Sequence, residues 1–163
     1  MMVPVLSKSK WAFSLAAALT LAVSFLLAPL SSKAEAAAPV KGDKVAAYAK
    51  TLVGKPYKYG GTSEKGFDAS GFVQYVYLKS ANVKLPRTVA DQFKQGQKVD
   101  YNHLQPGDLV FFKLDGKKVS FVGIYLGNSQ FIAATSKGVK IQPLGAKYWK
   151  PYFASGARIL SQK

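Results

Sequence analysis

A change of hydrophobic periodicity at Pro106-Gly107 constrains the fold of this chain more than any other sequence feature. Before that dipeptide, apolar residues recur at helical spacing, as at Val45, Ala49 and Val53. After it, short runs rich in β-branched and aromatic residues are separated by turn signals. Helices followed by strands predict an α+β domain with an antiparallel sheet.

Local signals place the individual elements. One helix of about ten residues is predicted to begin at the N-cap Asp43, a second begins near Asp68, and Thr88 caps a short third helix. The predicted strands are 109–112, 119–126, 130–134, 139–142 and 157–160. Turn dipeptides at 115–116 and 127–128 separate them.

Residue counts exclude several kinds of site. The chain has 163 residues, no Cys and one His, so it forms no disulfide, no thiolate metal site and no multi-histidine metal site. With 48% hydrophobic and 13% aromatic residues, it is too apolar for a disordered basic tail. These counts predict one folded domain without a metal or a cofactor.

The N-terminal residues have the pattern of a secretory leader. Lys8 and Lys10 precede an uncharged stretch at 11–30, and the small-residue site Ala34-Glu35-Ala36 follows it. A membrane anchor is the alternative, since about 20 apolar residues can span a bilayer. Pro29 and the small-residue site favour cleavage. We therefore expect an exported protein with a signal peptide at 1–36, a linker at 37–42 and one domain at 43–163.

The net charge of the chain indicates an anionic partner. The chain carries 23 Lys and Arg against 8 Asp and Glu, a formal charge of +15. The basic residues are scattered rather than grouped on one helix, so the anionic polymers of a cell wall fit better than nucleic acid. A basic surface that serves solubility alone is the alternative.

Five short motifs occur in order along the predicted domain. They are 54–61 (GKPYKYGG), 67–73 (FDASGFV), 85–88 (LPRT), 105–112 (QPGDLVFF) and 122–127 (VGIYLG). Together they closely resemble the NlpC/P60 family of papain-like cell-wall peptidases. The resemblance implies a papain-like fold, with N-terminal helices packed on a five- or six-stranded antiparallel sheet. It also implies cleavage of peptidoglycan stem peptides, often between D-glutamate and a diamino acid.

The family's catalytic positions carry apolar residues in this chain. By resemblance, Ala69 stands at the cysteine position, Phe121 at the histidine position and Ala133 at the third polar position. A methyl group cannot attack a carbonyl, a phenyl ring cannot transfer a proton, and Ala133 cannot orient an imidazole. The replacements predict a catalytically degenerate member, natural or engineered. We expect the three residues to fill an apolar core; an apolar pocket that accepts a ligand is the alternative.

The groove residues of the resembled family are retained. By resemblance, Tyr57 and Tyr59 line the groove, and Asp68 and Ser70 hold the substrate peptide. Each residue also has a purely structural alternative. The tyrosines would pack their loop, and Ser70 would occupy the first turn of the helix. Asp68 would be a helix N-cap, which contributes about 1 kcal/mol. Arg87 is expected to close its loop onto the domain.

Three functions follow from these observations. The lost triad beside a retained groove favours a secreted module that binds stem peptides or a protein partner without cutting them. An active cell-wall peptidase is the alternative, using another residue such as Ser70 with the lone histidine, His103, although His103 lies in a predicted surface loop. A scaffold subunit with no wall ligand is the third hypothesis.

Overall fold

The computed structural model describes residues 40–160, so the predicted signal peptide and the first part of the predicted linker lie outside the described residues. The helices are α1 (Lys41–Thr51), α2 (Ala69–Ala81) and α3 (Val89–Phe93). The strands are β1 (Thr62–Ser63), β2 (Gly66–Phe67), β3 (Gln97–Val99), β4 (Leu109–Phe112), β5 (Phe121–Gly127), β6 (Gln130–Thr135), β7 (Gly138–Pro143) and β8 (Phe153–Arg158). No helix within residues 40–160 is long and apolar enough to cross a membrane.

Six strands form one sheet in the order β3-β8-β4-β5-β6-β7, and every neighbouring pair is antiparallel. Strands β4 to β7 follow chain order, with a loop at 113–120 between β4 and β5 and short turns between the later strands. Strand β8 returns to pair with the other side of β4. Strands β1 and β2 form a separate small hairpin. The α+β class, with helices packed on an antiparallel sheet, is therefore confirmed.

Both faces of the sheet are buried at β4, which explains the uninterrupted apolar run of this strand. Leu109 and Phe111 belong to the core that includes α1 and α2, while Val110 and Phe112 pack in a second cluster with Trp149. Successive side chains of a strand point to opposite faces, so a strand covered on both sides needs apolar residues throughout. The second cluster lies on the sheet face away from α1 and α2.

Helix α2 starts where its sequence predicts, with Asp68 at the N-cap. The Asp68 carboxylate accepts a hydrogen bond from the Gly71 amide at 2.7 Å and so caps the helix. The helix ends at Asn82, which adopts the left-handed conformation at φ 54°. Near that end, the buried Tyr77 hydroxyl donates to the Gly107 carbonyl and ties α2 to the turn before β4.

Two predicted boundaries are wrong. Helix α1 begins at Lys41 with Val40 at its N-cap, so Asp43 lies in the first turn, where its charge still favours the helix dipole. Strand β8 covers Phe153–Arg158 rather than 157–160. Its first half pairs with β4 through the main chain, and small residues in that half carry no strand signal.

Buried Gln92 joins α3 to α2, and its loss is expected to destabilise the domain. Its amide nitrogen donates to the carbonyls of Ser70 at 3.0 Å and of Pro86 at 2.9 Å. Gln92→Ala removes both bonds and leaves a cavity, so we expect the free energy of unfolding to fall by about 1–2 kcal/mol in urea denaturation. Gln95→Ala, at an exposed position, is the matched control; equal losses in both variants would contradict this role.

Candidate functional site

An open cleft of about 320 Å³ lies at the N-terminal end of α2. Its walls come from the loop before β1, the first turn of α2, the start of α3, the start of β5 and the β6–β7 turn. The lining residues are Tyr57, Tyr59, Asp68, Ala69, Ser70, Val89, Ser120, Phe121, Ala134 and Ser136. The structure thus brings together the four predicted binding residues and two of the three predicted catalytic positions.

Ala69 is the first residue of α2 and lies partly exposed in the cleft. Unpaired backbone amides give the start of a helix a partial positive charge, which would stabilise a thiolate at this position. The start of α2 therefore has the electrostatic setting that would favour a thiolate. The methyl group of Ala69 offers no nucleophile.

Phe121 forms a wall of the cleft and does not fill it. Its ring stacks on Trp149, with centroids 5.2 Å apart and planes 24° apart. Phe112 contacts the same ring from the core, at 6.1 Å between centroids. Aromatic packing thus holds Phe121 from behind, and the space in front of Ala69 stays open.

Ala133 does not line the cleft. It is fully buried in the cluster that contains Phe131 and Trp149, whereas its neighbour Ala134 reaches the cleft wall. The alternation of side chains along β6 accounts for this difference. The three residues therefore do not form the single apolar core that the sequence predicted. Ala133 packs in the second cluster, whereas Ala69 and Phe121 line the cleft.

Asp68 lies at the centre of a polar network. Its carboxylate accepts two hydrogen bonds from the Arg87 guanidinium, at 2.6 and 3.1 Å, and one from the Gly60 amide at 3.1 Å, besides capping α2. Arg87 also donates to the Ser70 hydroxyl at 2.8 Å. The hydrogen bond with Asp68 raises the pKa of Arg87, so the guanidinium stays charged and its contact with Asp68 is bidentate. Arg87 therefore does close its loop onto the domain, and it also fixes two predicted groove residues.

A close approach of two backbones positions the tyrosine loop. A Cβ atom on Gly71 would lie 2.1 Å from the Gly61 carbonyl oxygen, so only glycine allows the loop to rest on the first turn of α2. From this loop, Tyr57 and Tyr59 reach the cleft with exposed fractions of 40% and 90%. Their rings are thus available to a ligand rather than packed in the core.

The structure does not bring His103 to Ser70. His103 ends a short 3-10 helix, its side chain is 78% exposed, and it is absent from the cleft lining. Ser70 is 6% exposed, and its hydroxyl contacts Arg87 and Asp68. Within residues 40–160, no group of three or more His, Cys, Asp or Glu side chains could hold a metal ion.

Comparison with known proteins decides the family. The sequence profile of the NlpC/P60 family matches residues 54–158, well over half of the chain. This chain belongs to the NlpC/P60 family. The fold and the order of the motifs agree with that membership.

Relatives of this NlpC/P60 chain include both endopeptidases and a binding protein. The probable endopeptidase NlpC homolog of Haemophilus influenzae is 40% identical over 121 residues, covering 73% of this chain and 64% of its own length. An NlpC/P60 family protein from Bacillus cereus superposes with a TM-score of 0.70 at 37% identity, covering 76% of this chain and 42% of that one. RipD of Mycobacterium tuberculosis, a non-catalytic NlpC/p60 domain protein adapted to peptidoglycan binding, has a TM-score of 0.64 at 28% identity, covering 76% of this chain and 100% of that one.

The chain is shorter than its curated relatives. It spans between 34% and 64% of the lengths of relatives from Haemophilus influenzae, Bacillus subtilis and Escherichia coli. The comparisons establish the family and the fold of this domain. The activities in the relatives' names describe those longer proteins.

Proposed function

We propose that this NlpC/P60 domain binds a peptidoglycan stem peptide in the cleft at the start of α2 and does not hydrolyse it. One observation carries the proposal. The cleft is lined by Ala69 and Phe121, which the motif resemblance assigns to the family's nucleophile and base, and the predicted peptide-binding residues line the same space. A ligand can therefore be held where the chemistry of the family has no reacting group.

The retained residues suit a peptide with a free amine. The Asp68 side chain is 18% exposed, and it is the one acidic residue in the cleft lining. Exposed Tyr57 and Tyr59 offer aromatic faces and hydroxyl groups beside it. A cationic amine near Asp68 with aliphatic peptide groups over the tyrosines matches this arrangement.

The geometry does not support Ser70 as a replacement nucleophile. A serine needs a base within hydrogen-bond reach, and the contacts of the Ser70 hydroxyl are an arginine and a carboxylate that is itself paired. Phe121 and Trp149 offer only an apolar wall near Ala69. RipD is a precedent within the family for binding without catalysis.

The setting proposed for this activity is outside the cytoplasm. A leader at residues 1–36 that is removed on export would place the domain beside the peptidoglycan. The small-residue site at 34–36 and the charge of +15 support that location. The folded domain then begins near Lys41, where α1 starts.

We expect the purified protein to bind the tripeptide L-alanyl-γ-D-glutamyl-L-lysine and to release no products from it. Isothermal titration calorimetry measures binding, and mass spectrometry of the same mixtures detects cleavage. Tyr57→Ala is expected to weaken binding about tenfold, because an aromatic contact in the cleft is lost. Tyr152→Ala removes a tyrosine of similar exposure outside the cleft lining and should leave binding unchanged.

Two outcomes would contradict the proposal. Cleavage products that disappear on Ser70→Ala would identify an active peptidase with a replacement nucleophile. Failure to bind the peptide, together with retention on purified peptidoglycan no greater than that of a protein of equal charge, would exclude a wall ligand and favour a scaffold.

A further inference from the structure

A second, larger cleft adjoins the first. Its volume is about 670 Å³, and it is formed by the β6–β7 turn, the exposed edge of β7 and the segment before β8. Phe121 and Ser136 line both clefts, so the two spaces share a wall. We refer to the second space as the aromatic–lysine cleft, after Phe121, Lys137, Lys140, Tyr148 and Trp149 in its lining.

Aromatic rings form one side of the aromatic–lysine cleft. The stacked pair of Phe121 and Trp149 continues to Tyr148, which meets Trp149 edge-on at 4.8 Å and is 62% exposed. The Trp149 indole nitrogen donates to the Gln142 side-chain oxygen at 3.4 Å, which helps to fix the orientation of the indole ring. These contacts order an apolar surface that the aliphatic part of a ligand can cover.

Positive charge also lines the aromatic–lysine cleft. Lys137 and Lys140 are exposed, and neither takes part in any ion pair between described residues. The lining contains no acidic residue. In the sequence, no Asp or Glu follows Asp115, although seven Lys and one Arg do. An anionic group in this cleft would therefore meet positive charge that no acidic lining residue opposes.

We infer that the aromatic–lysine cleft binds the carboxylate end of a peptide whose amino end occupies the cleft at α2. This inference rests on the proposed function and extends it to the polarity and charge of the ligand. Among residues lining the two clefts, the one acidic side chain is Asp68, and the lysines lie in the other cleft. A peptide with a free amine and a free C-terminal carboxylate matches these two charges across the shared wall at Phe121.

Paired peptides test the inference in the purified protein. The probes are L-alanyl-γ-D-glutamyl-L-lysine and the same tripeptide with a C-terminal carboxamide. We expect the wild type to bind the acid about fivefold more tightly than the amide, the size expected of exposed ion pairs. The variant Lys137→Gln/Lys140→Gln should bind both peptides with the affinity that the wild type has for the amide.

The matched control is Lys44→Gln/Lys50→Gln, which removes the same charge from exposed positions on α1, at the other face of the sheet. It should keep the fivefold preference for the acid. Equal binding of acid and amide by the wild type would overturn the inference while leaving the proposed function intact. Failure to bind either peptide, together with no specific retention on purified peptidoglycan, would refute the proposed function itself. If the Lys137/Lys140 variant instead lost affinity only for polyphosphate, the cleft would be a polyanion site and the inference would be wrong.

Discussion

Joint replacement of Ala69 by Cys and Phe121 by His is expected to make this domain cut the peptide that we propose the wild type binds without cleavage. Ala69 opens α2, so a thiol there would meet the positive end of the helix dipole. An imidazole at position 121 would line the same cleft and could accept the thiol proton. Because a positioned base contributes about 10²–10⁴-fold to such reactions, we expect at least about a hundredfold faster cleavage than with Ala69→Cys alone.

Two measurements check this expectation. Mass spectrometry of L-alanyl-γ-D-glutamyl-L-lysine mixtures gives the cleavage rate. The pH dependence of alkylation by iodoacetamide gives the pKa of the introduced thiol, which should fall below its ordinary value of about 8.5. A control pairs Ala69→Cys with Phe121→Leu, which keeps the thiol and an apolar wall but supplies no base.

Absence of cleavage by the double variant, despite a lowered thiol pKa, would show that an imidazole at position 121 also needs its orienting group. Ala133 lies in the buried cluster behind Phe121, next to Phe131 and Trp149. Adding Ala133→His would place an imidazole in that packed space, with an overpacking cost of about 1–3 kcal/mol. If none of these variants showed either cleavage or a lowered thiol pKa, that result would contradict our assignment of the catalytic positions.

The sequence predicted the parts of this fold that local chemistry controls. Asp68 caps α2 and Thr88 caps α3, as expected from residues that bond the next amides. The central strands also lie where β-branched and aromatic runs predicted them. The hairpin of β1 and β2 and the strand β3 were missed because they are two or three residues long and show no periodicity.

Contacts between distant residues could not be predicted in the same way. Arg87 has an acidic residue four positions along, Asp91, but its guanidinium pairs with Asp68, which precedes it by nineteen positions. Asp91 contacts Thr88 and Lys94 instead. The choice depends on how α3 and its loop pack on α2, which sequence spacing alone does not reveal.

The aromatic–lysine cleft shows the same limit at a functional surface. Its residues come from positions 114–149 and lie outside the five motifs. Phe121 directly precedes the motif at 122–127. The absence of acidic residues after Asp115 was visible in the sequence. Only the packing of Trp149 on Phe121 shows that some of the surrounding lysines line a cleft.

Asp68→Ala is expected to have the largest effect on both stability and binding. The substitution removes the cap of α2 and leaves the half-exposed Arg87 without its bidentate partner. A lost N-cap costs about 1 kcal/mol, and hydrogen bonds to a charged group contribute about 1.5–3 kcal/mol. We therefore expect the free energy of unfolding in urea to fall by about 3 kcal/mol, and peptide binding by calorimetry to become undetectable.

Asp68→Asn separates the two effects. Asparagine caps helices about as well as aspartate, so this variant should lose only about 1 kcal/mol of stability, mainly from the ion pair with Arg87. The Asp68→Asn variant also removes the one negative charge in the cleft lining. Its affinity for a peptide with a free amine should therefore fall about tenfold. The same peptide acetylated at its α-amine, which lacks that charge but keeps the lysine side-chain ammonium, should bind the wild type and this variant equally weakly. Unchanged affinity of Asp68→Asn for the free-amine peptide would show that Asp68 serves the helix and Arg87 alone, and would remove the amine from the proposed mode of recognition.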